Sequence, residues 1–227
     1  MTTILPTLSP LPNSADTLPC VLLTGFDAFG TELPGQQPLN PSWMAAQALH
    51  GETIAGHRVV GDLLPTVFAT ANSTLLHLMD HHKPSLVVCV GQAGGRKSLS
   101  IERIAINLVD AVIADNAGDQ PNNQPVLPGQ PAAYFSTLPV LAILQALLVA
   151  GLPAELSLSA GTFVCNHVFY CLMHALATQP QFAQTQGGFI HVPFLPSQGE
   201  PSLPLDDTMR GLRLTLACAL TQPIATA

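Results

Sequence analysis

Cys165 closes the stretch Ser159-Ala-Gly-Thr-Phe-Val-Cys-Asn166, where small residues give way to an apolar helical pattern. The first turn of a helix leaves backbone N–H groups unpaired and carries the positive end of the helix dipole, which favours a thiolate. The same N–H groups can hold the oxyanion that forms when sulfur attacks a carbonyl. A free cysteine is more often a buried apolar thiol. Cys89 in a strand pattern, Cys171 on a helix core face and Cys218 in the closing helix fit that description. Cys165 alone falls at a turn-to-helix junction.

A thiol nucleophile needs a base that later returns the proton to the leaving amine. His191 lies near the end of the apolar run Gly188-Phe-Ile-His-Val192, where a strand stops at Pro193. The other seven histidines offer less. His167 lies two residues past Cys165, about 200° round the helix, and points away. His81 and His82 read as a solvated helix end, and His50, His57, His77 and His174 have no chemical neighbour in sequence. In Gly91-Gln-Ala-Gly-Gly-Arg-Lys-Ser-Leu-Ser-Ile-Glu-Arg-Ile-Ala-Ile-Asn107 the odd residue is Glu102, a carboxylate among Ile101, Ile104 and Ile106. Buried there, it requires a partner, which can be Arg96, Arg103 or the imidazole of His191. The glycine-rich start of that segment matches neither GxGxxG nor GxxxxGK[ST], so a nucleoside- or phosphate-binding reading has little support.

The elements that must position these groups can be read along the chain. Cys20–Thr24 is a buried first strand, Gly25–Asn40 a loop, and Asn40-Pro41 the cap and first position of a helix. Arg58–Leu64, Ser85–Val90, Ala154–Leu158 and Gly188–Val192 read as strands, and Leu99–Leu108 as extended. Val67–His81, Leu138–Ala150, Val164–Ala177 and Asp206–Leu220 read as helices, with Asp115–Gln130 a long surface loop. Strands alternating with helices predict an α/β sheet covered by helices on both faces, with sites at the C-terminal strand ends.

Composition narrows the function classes. The 227 residues carry 7 basic and 14 acidic side chains, a net charge of −7, and only 9% are charged. No Lys/Arg cluster can neutralise phosphates, so no nucleic acid is expected as a partner. Sparse surface charge leaves apolar surface that a homo-oligomer would cover. The apolar run from Pro139 to Pro153 is short of the ~20 residues of a membrane span, so no membrane is expected either. The first basic residue is Arg58, so no secretory leader is expected, and residues 1–19 read as a flexible extension before one domain over 20–227. Five cysteines without CxxC spacing predict neither a disulfide framework nor a metal site, and a cytoplasmic setting fits them best. No cofactor is expected.

Taken together the three segments resemble the pyroglutamyl-peptidase I (pyrrolidone carboxyl peptidase) family of cysteine exopeptidases. Its glutamate signature is matched by Gly91–Asn107, its cysteine signature by Ser159–Asn166 and its histidine region by Gly188-Phe-Ile-His-Val-Pro-Phe194. Leu23-Thr-Gly-Phe-Asp-Ala-Phe-Gly30 followed by Asn40-Pro-Ser42 is a fourth match, and the resemblance spans roughly residues 20 to 220. It implies a three-layer α/β/α sandwich with a mostly parallel sheet, often assembled as a dimer or tetramer, without metal. It implies a Cys165–His191 pair oriented by Glu102, removing N-terminal 5-oxoproline from peptides through a thioester. By position, Phe26 and Phe29 would flank the lactam ring, Gln92 would hydrogen-bond it, and Phe163 and Val164 would line the pocket, with Ile113 and Asn40 as further contacts. A pyroglutamyl group has no N-terminal charge, so apolar walls and a few polar groups suffice.

One departure matters. The family usually reads D-A-R-I-P-D-N where this chain reads Asp110-Ala-Val-Ile-Ala-Asp-Asn116. Val112 thus replaces an arginine that lies near the nucleophile in the family. The alternative that follows is a catalytically weakened relative that binds a pyroglutamyl or similar amide ligand.

Overall fold

The computed structural model describes residues 18–29 and 39–222. Of the extension expected over 1–19, residues 1–17 lie outside the described residues; Pro19 is already tied in, its carbonyl accepting from Arg58 N at 2.9 Å. The strands are β1 (Cys20–Phe26), β2 (Thr53–Ile54), β3 (His57–Leu64), β4 (Leu86–Gln92), β5 (Leu99–Glu102), β6 (Ile104–Ile106), β7 (Ala133–Phe135), β8 (Ala154–Ser157) and β9 (Gln186–Val192). The helices are α1 (Pro41–Leu49), α2 (Phe68–His82), α3 (Val140–Val149), α4 (Val164–Thr178) and α5 (Leu205–Thr221).

Seven strands form one sheet in the order β2-β3-β1-β4-β9-β5-β8. Neighbouring pairs are mostly parallel, but β2 runs antiparallel to β3 and β5 antiparallel to β9. The extended segment expected over Leu99–Leu108 is split at Arg103: β5 joins the main sheet, while β6 pairs with β7 in a separate two-stranded ribbon. The reversal of β5 matters for the site, because the strand enters opposite His191 at Ser100 and runs back along β9 to Glu102 opposite Phe189, which leaves Glu102 diagonal to His191.

Alternation along each strand sorts side chains into two cores. Leu22, Phe26, Val87, Cys89 and Phe189 pack with α2 and α4 on one face. Val21, Leu23, Val88, Ile101 and Ile190 pack with α1, α3 and α5 on the other. The three-layer α/β/α arrangement follows. On β5 the same alternation puts Leu99 and Ile101 in the second core. Ser100 and Glu102 therefore turn, fully buried, to the face that α4 covers. Packing holds α4, through Val164, Val168, Phe169, Leu172 and Met173, at about 1.5–3 kcal/mol for each large side chain fully buried. Its N-cap, Phe163, makes no side-chain capping bond, so the first-turn N–H groups are not consumed by a cap.

Candidate active site

The Glu102 and His191 side chains meet beneath the N-terminus of α4. Ser100 lies opposite His191 and Glu102 opposite Phe189 in the antiparallel β5–β9 pair, so Glu102 is the diagonal neighbour of His191 on one face. Glu102 Oε1 accepts from His191 Nδ1 at 2.8 Å and from Arg96 Nη1 at 2.7 Å. Both Arg96 and His191, two of the three partners open from sequence, are therefore engaged by one oxygen. Arg103 instead binds through its backbone, N to Ser157 O and O to Ser136 N. Glu102 Oε2 is buried without a hydrogen-bond partner among the described residues. An ionised carboxylate on Nδ1 fixes the proton there and leaves Nε2 as the acceptor nitrogen. Burial lowers the His191 pKa below its ordinary value, against the opposing hydrogen bond from Glu102, and the imidazole rests neutral.

Cys165 is the second residue of α4, as its turn-to-helix position predicted. Its sulfur faces the sheet at Gly91: a Cβ built on that glycine would lie 2.8 Å from Sγ and 2.9 Å from the Phe189 ring. Gly91 is in turn the parallel register partner of His191 in the β4–β9 pair. The glycine thus lets the α4 thiol settle against β4, the strand that pairs with the one carrying His191. The electrostatics differ from the sequence expectation. Burial first, then the Glu102 charge, pushes the Cys165 thiol up to about 12, against a smaller opposing pull from Arg96. The helix terminus does not outweigh desolvation in the unliganded molecule, and the thiol rests protonated.

Asn166 secures this geometry from the next position on α4. Fully buried, its Oδ1 accepts from Ile106 N at 3.1 Å, and its Nδ2 donates to Ile106 O at 2.9 Å and Leu108 O at 3.1 Å. Thr162 Oγ1 donates to Asp110 O at 2.8 Å, clamping the same loop to the turn before α4. Gly91 and Asn166 were present in the sequence motifs without a role; their local signals were a glycine directly after an apolar strand, which the structure places within β4, and a polar residue at a helix start.

The aromatic candidates fall into two groups. Phe29 and Phe163 lie 5.9 Å apart between ring centroids, and Phe68, which the sequence reading passed over, meets Phe163 edge-on at 5.3 Å. Phe26 belongs to the core, 6.3 Å from Phe189 and 1% exposed, and Val164 is wholly buried behind Phe163. Gln92 ends β4 with Oε1 accepting from Gln198 Nε2 at 2.9 Å. Asn40 is occupied as the N-cap of α1: Oδ1 accepts from Ser42 N at 3.0 Å, and Nδ2 donates to Asp27 O at 2.9 Å. Val112 is 89% exposed and Ile113 45%, so that loop turns these side chains largely to solvent. Among the described residues no cluster of three or more His, Cys, Asp or Glu converges as a metal site.

A thiol at a helix N-terminus, packed against the strand that neighbours a carboxylate-bound imidazole in an α/β/α frame, is the constellation of a cysteine hydrolase. Comparison with known proteins gives the family. The pyroglutamyl peptidase family profile matches residues 20–222. A pyrrolidone-carboxylate peptidase of Cupriavidus necator is 50% identical over 206 residues, covering 88% of this chain and 93% of the relative. One of Bacillus cereus is 46% identical with the same coverage. Among solved structures, pyroglutamyl peptidase I of Bacillus amyloliquefaciens superposes with a TM-score of 0.86 at 40% identity, covering 93% of this chain and all of that one. A variant pyrrolidone carboxyl peptidase of Pyrococcus furiosus gives 0.82 at 38% identity, covering 88% and 97%. The chain belongs to the pyroglutamyl peptidase family of cysteine hydrolases.

Proposed function

We propose that the chain is an omega peptidase that hydrolyses the N-terminal pyroglutamyl (5-oxoprolyl) group from peptides, with Cys165 as nucleophile, His191 as base and acid, and Glu102 as the group that orients the imidazole. The observation that carries this reading is the 2.8 Å Glu102–His191 bond, with His191 on the strand that pairs with β4, against which the Cys165 sulfur packs. Thiol and imidazole both rest neutral, so the Sγ proton passes to His191 Nε2 as sulfur attacks the pyroglutamyl carbonyl carbon. The oxyanion forms against the unpaired N–H groups of the first α4 turn. Collapse breaks the C–N bond, and the imidazolium gives its proton to the leaving amine. Water then attacks the thioester with His191 as base, releasing 5-oxoproline and the thiol.

Phe29 and Phe163 supply apolar faces for the ring, with Phe26 and Val164 backing them, and Gln92 supplies a polar contact to the lactam. Ile113 and Asn40 act at most from the rim and from the capped loop. The residues work without a cofactor. A cytoplasmic setting accords with five free cysteines, and no described helix is long and apolar enough to cross a membrane. Assembly as a homo-oligomer would cover exposed Phe135, Leu141, Leu148 and Val149. Exposed Val112 in place of the family arginine is the observation behind the second reading, a weakened relative that retains ligand binding.

Release of a fluorogenic amine separates the two. Turnover of a pyroglutamyl amide in preference to a prolyl amide, abolished in Cys165→Ser, is the expected result. Saturable binding of the pyroglutamyl amide without release supports the weakened relative.

A further inference from the structure

The Gln92 amide is held by a short relay of hydrogen bonds that begins in groups of fixed polarity. Leu39 O can only accept and Leu195 N–H can only donate. Gln198 Nε2 donates to Leu39 O at 3.0 Å, and Gln198 Oε1 accepts from Leu195 N at 2.9 Å. Turning the Gln198 amide over would set two acceptors and two donors face to face, so its orientation is determined by the backbone. A second N–H on the same Nε2 donates to Gln92 Oε1 at 2.9 Å. The carbonyl end of Gln92 is thereby engaged, and its own Nε2 has no hydrogen-bond partner among the described residues. The relay is itself anchored, since Gln198 N donates to Leu195 O at 2.8 Å and closes the turn that carries it.

We propose that Gln198 is a positioning residue for substrate recognition: it turns the N–H end of Gln92 toward the ligand, so that Gln92 donates to the lactam carbonyl of 5-oxoproline. The inference rests on the pyroglutamyl peptidase reading. A lactam offers one acceptor and one donor, and a freely turning glutamine amide could meet either. Locked with its donors outward, Gln92 serves only a ring that carries a carbonyl. A prolyl ring brings a CH₂ to that place and leaves the donor unmatched, which is rejection built into the site.

The test compares the parent chain with Gln198→Glu, Gln198→Met and Gln92→Ala on two amides of one fluorogenic amine, pyroglutamyl and cyclopentanecarbonyl; the second has the same ring size and no lactam. Competitive inhibition by 2-pyrrolidinone repeats the comparison without turnover. A glutamate at 198 accepts from Gln92 Nε2 and turns Gln92 Oε1 against the lactam carbonyl. KM for the pyroglutamyl amide and the inhibition constant of 2-pyrrolidinone then rise roughly 10- to 100-fold, with kcat and the cyclopentanecarbonyl rate changed far less. Gln198→Met, which only frees Gln92 to turn, gives a smaller rise of about 3- to 10-fold and decides the matter if the glutamate variant does not fold. In the Gln92→Ala background the Gln198 changes have no further effect. Equal losses on both amides would mean that Gln198 merely closes its turn, and the inference fails. It fails also if Gln92→Ala loses the lactam preference while both Gln198 variants keep it, and the pyroglutamyl reading then stands. A parent chain that binds 2-pyrrolidinone and the pyroglutamyl amide no better than their lactam-free counterparts overturns that reading and the inference together.

Discussion

The Cys165 sulfur stands where a side chain on Gly91 would begin, 2.8 Å from the ideal Cβ position. Gly91 is the only residue type that lets the α4 terminus settle this close to β4, and β4 is the strand that neighbours His191.

Gly91→Ala therefore has no room for its methyl group: the sulfur on one side and the Phe189 ring at 2.9 Å on the other must move. Overpacking costs about 1–3 kcal/mol. A displacement of the nucleophile near 1 Å costs about 100-fold in rate. Thermal melting and kcat/KM on a pyroglutamyl amide check both. Full activity in a well-folded Gly91→Ala protein would mean that Cys165 is not held by this contact.

Glu102→Gln keeps the shape of the side chain and removes its charge. The amide can still accept from His191 Nδ1, but Arg96 loses its ion pair and a developing imidazolium loses its counter-charge. Activity is expected to fall by roughly 10- to 1,000-fold, less than in Cys165→Ser or His191→Ala, because orientation contributes less than the nucleophile or base itself. Parental kcat/KM at all pH values would reduce Glu102 to a structural partner of Arg96.

Much of this site was legible in the sequence because chemistry-bearing residues stood out against apolar surroundings. Glu102 was conspicuous between Ile101 and Ile104, and Cys165 at a helix start; both positions hold in the structure. The helix limits expected at Val164 and near Asp206 differ from α4 and α5 by at most a residue at the start, since strong apolar periodicity marks them. Strand direction was not legible. Nothing in Leu99–Glu102 encodes that β5 runs antiparallel to β9, because alternation is the same in either direction. The two-residue β2 and three-residue β7 carry too little pattern to read, and both depend on a tertiary partner, β3 and β6. Gln198 and Asn166 were missed for the same reason. Their partners, Gln92 and Leu39 for one and Ile106 and Leu108 for the other, are remote in sequence.

Acid should act on both rate and stability through His191. Burial holds its pKa below 6.5, so the neutral base persists under that value, and the acidic limb of kcat/KM is expected below pH 6.5. Between the folded value and 6.5 the unfolded chain binds a proton that the folded chain does not, so stability is full above 6.5 and declines as pH falls beneath it. His167 and His82, also lowered chiefly by burial, add to the decline. Urea unfolding at about pH 7.5 and about pH 5.5, with a pH–rate profile, measures both effects. A limb at or above 6.5 together with stability unchanged on acidification would contradict a neutral buried imidazole.

Val112→Arg tests the departure from the family pattern. At 89% exposure the position takes an arginine without burying it, so melting should stay within the small range of a surface substitution. If the added charge reaches the thiolate and oxyanion, kcat/KM rises by up to roughly 100-fold and the acidic limb moves down. A well-folded variant with unchanged rate and profile would show that this site is built without a charge at residue 112.

Acid quenching of the chain during turnover of a pyroglutamyl amide, followed by mass spectrometry of the peptide that contains Cys165, examines the thioester itself. A single pyroglutamyl group on Cys165 is expected, lost on further incubation with water and absent from Cys165→Ser, whose turnover falls by several orders of magnitude. An acyl group on another residue, or parental turnover by Cys165→Ser, would contradict the assignment of Cys165 as the nucleophile.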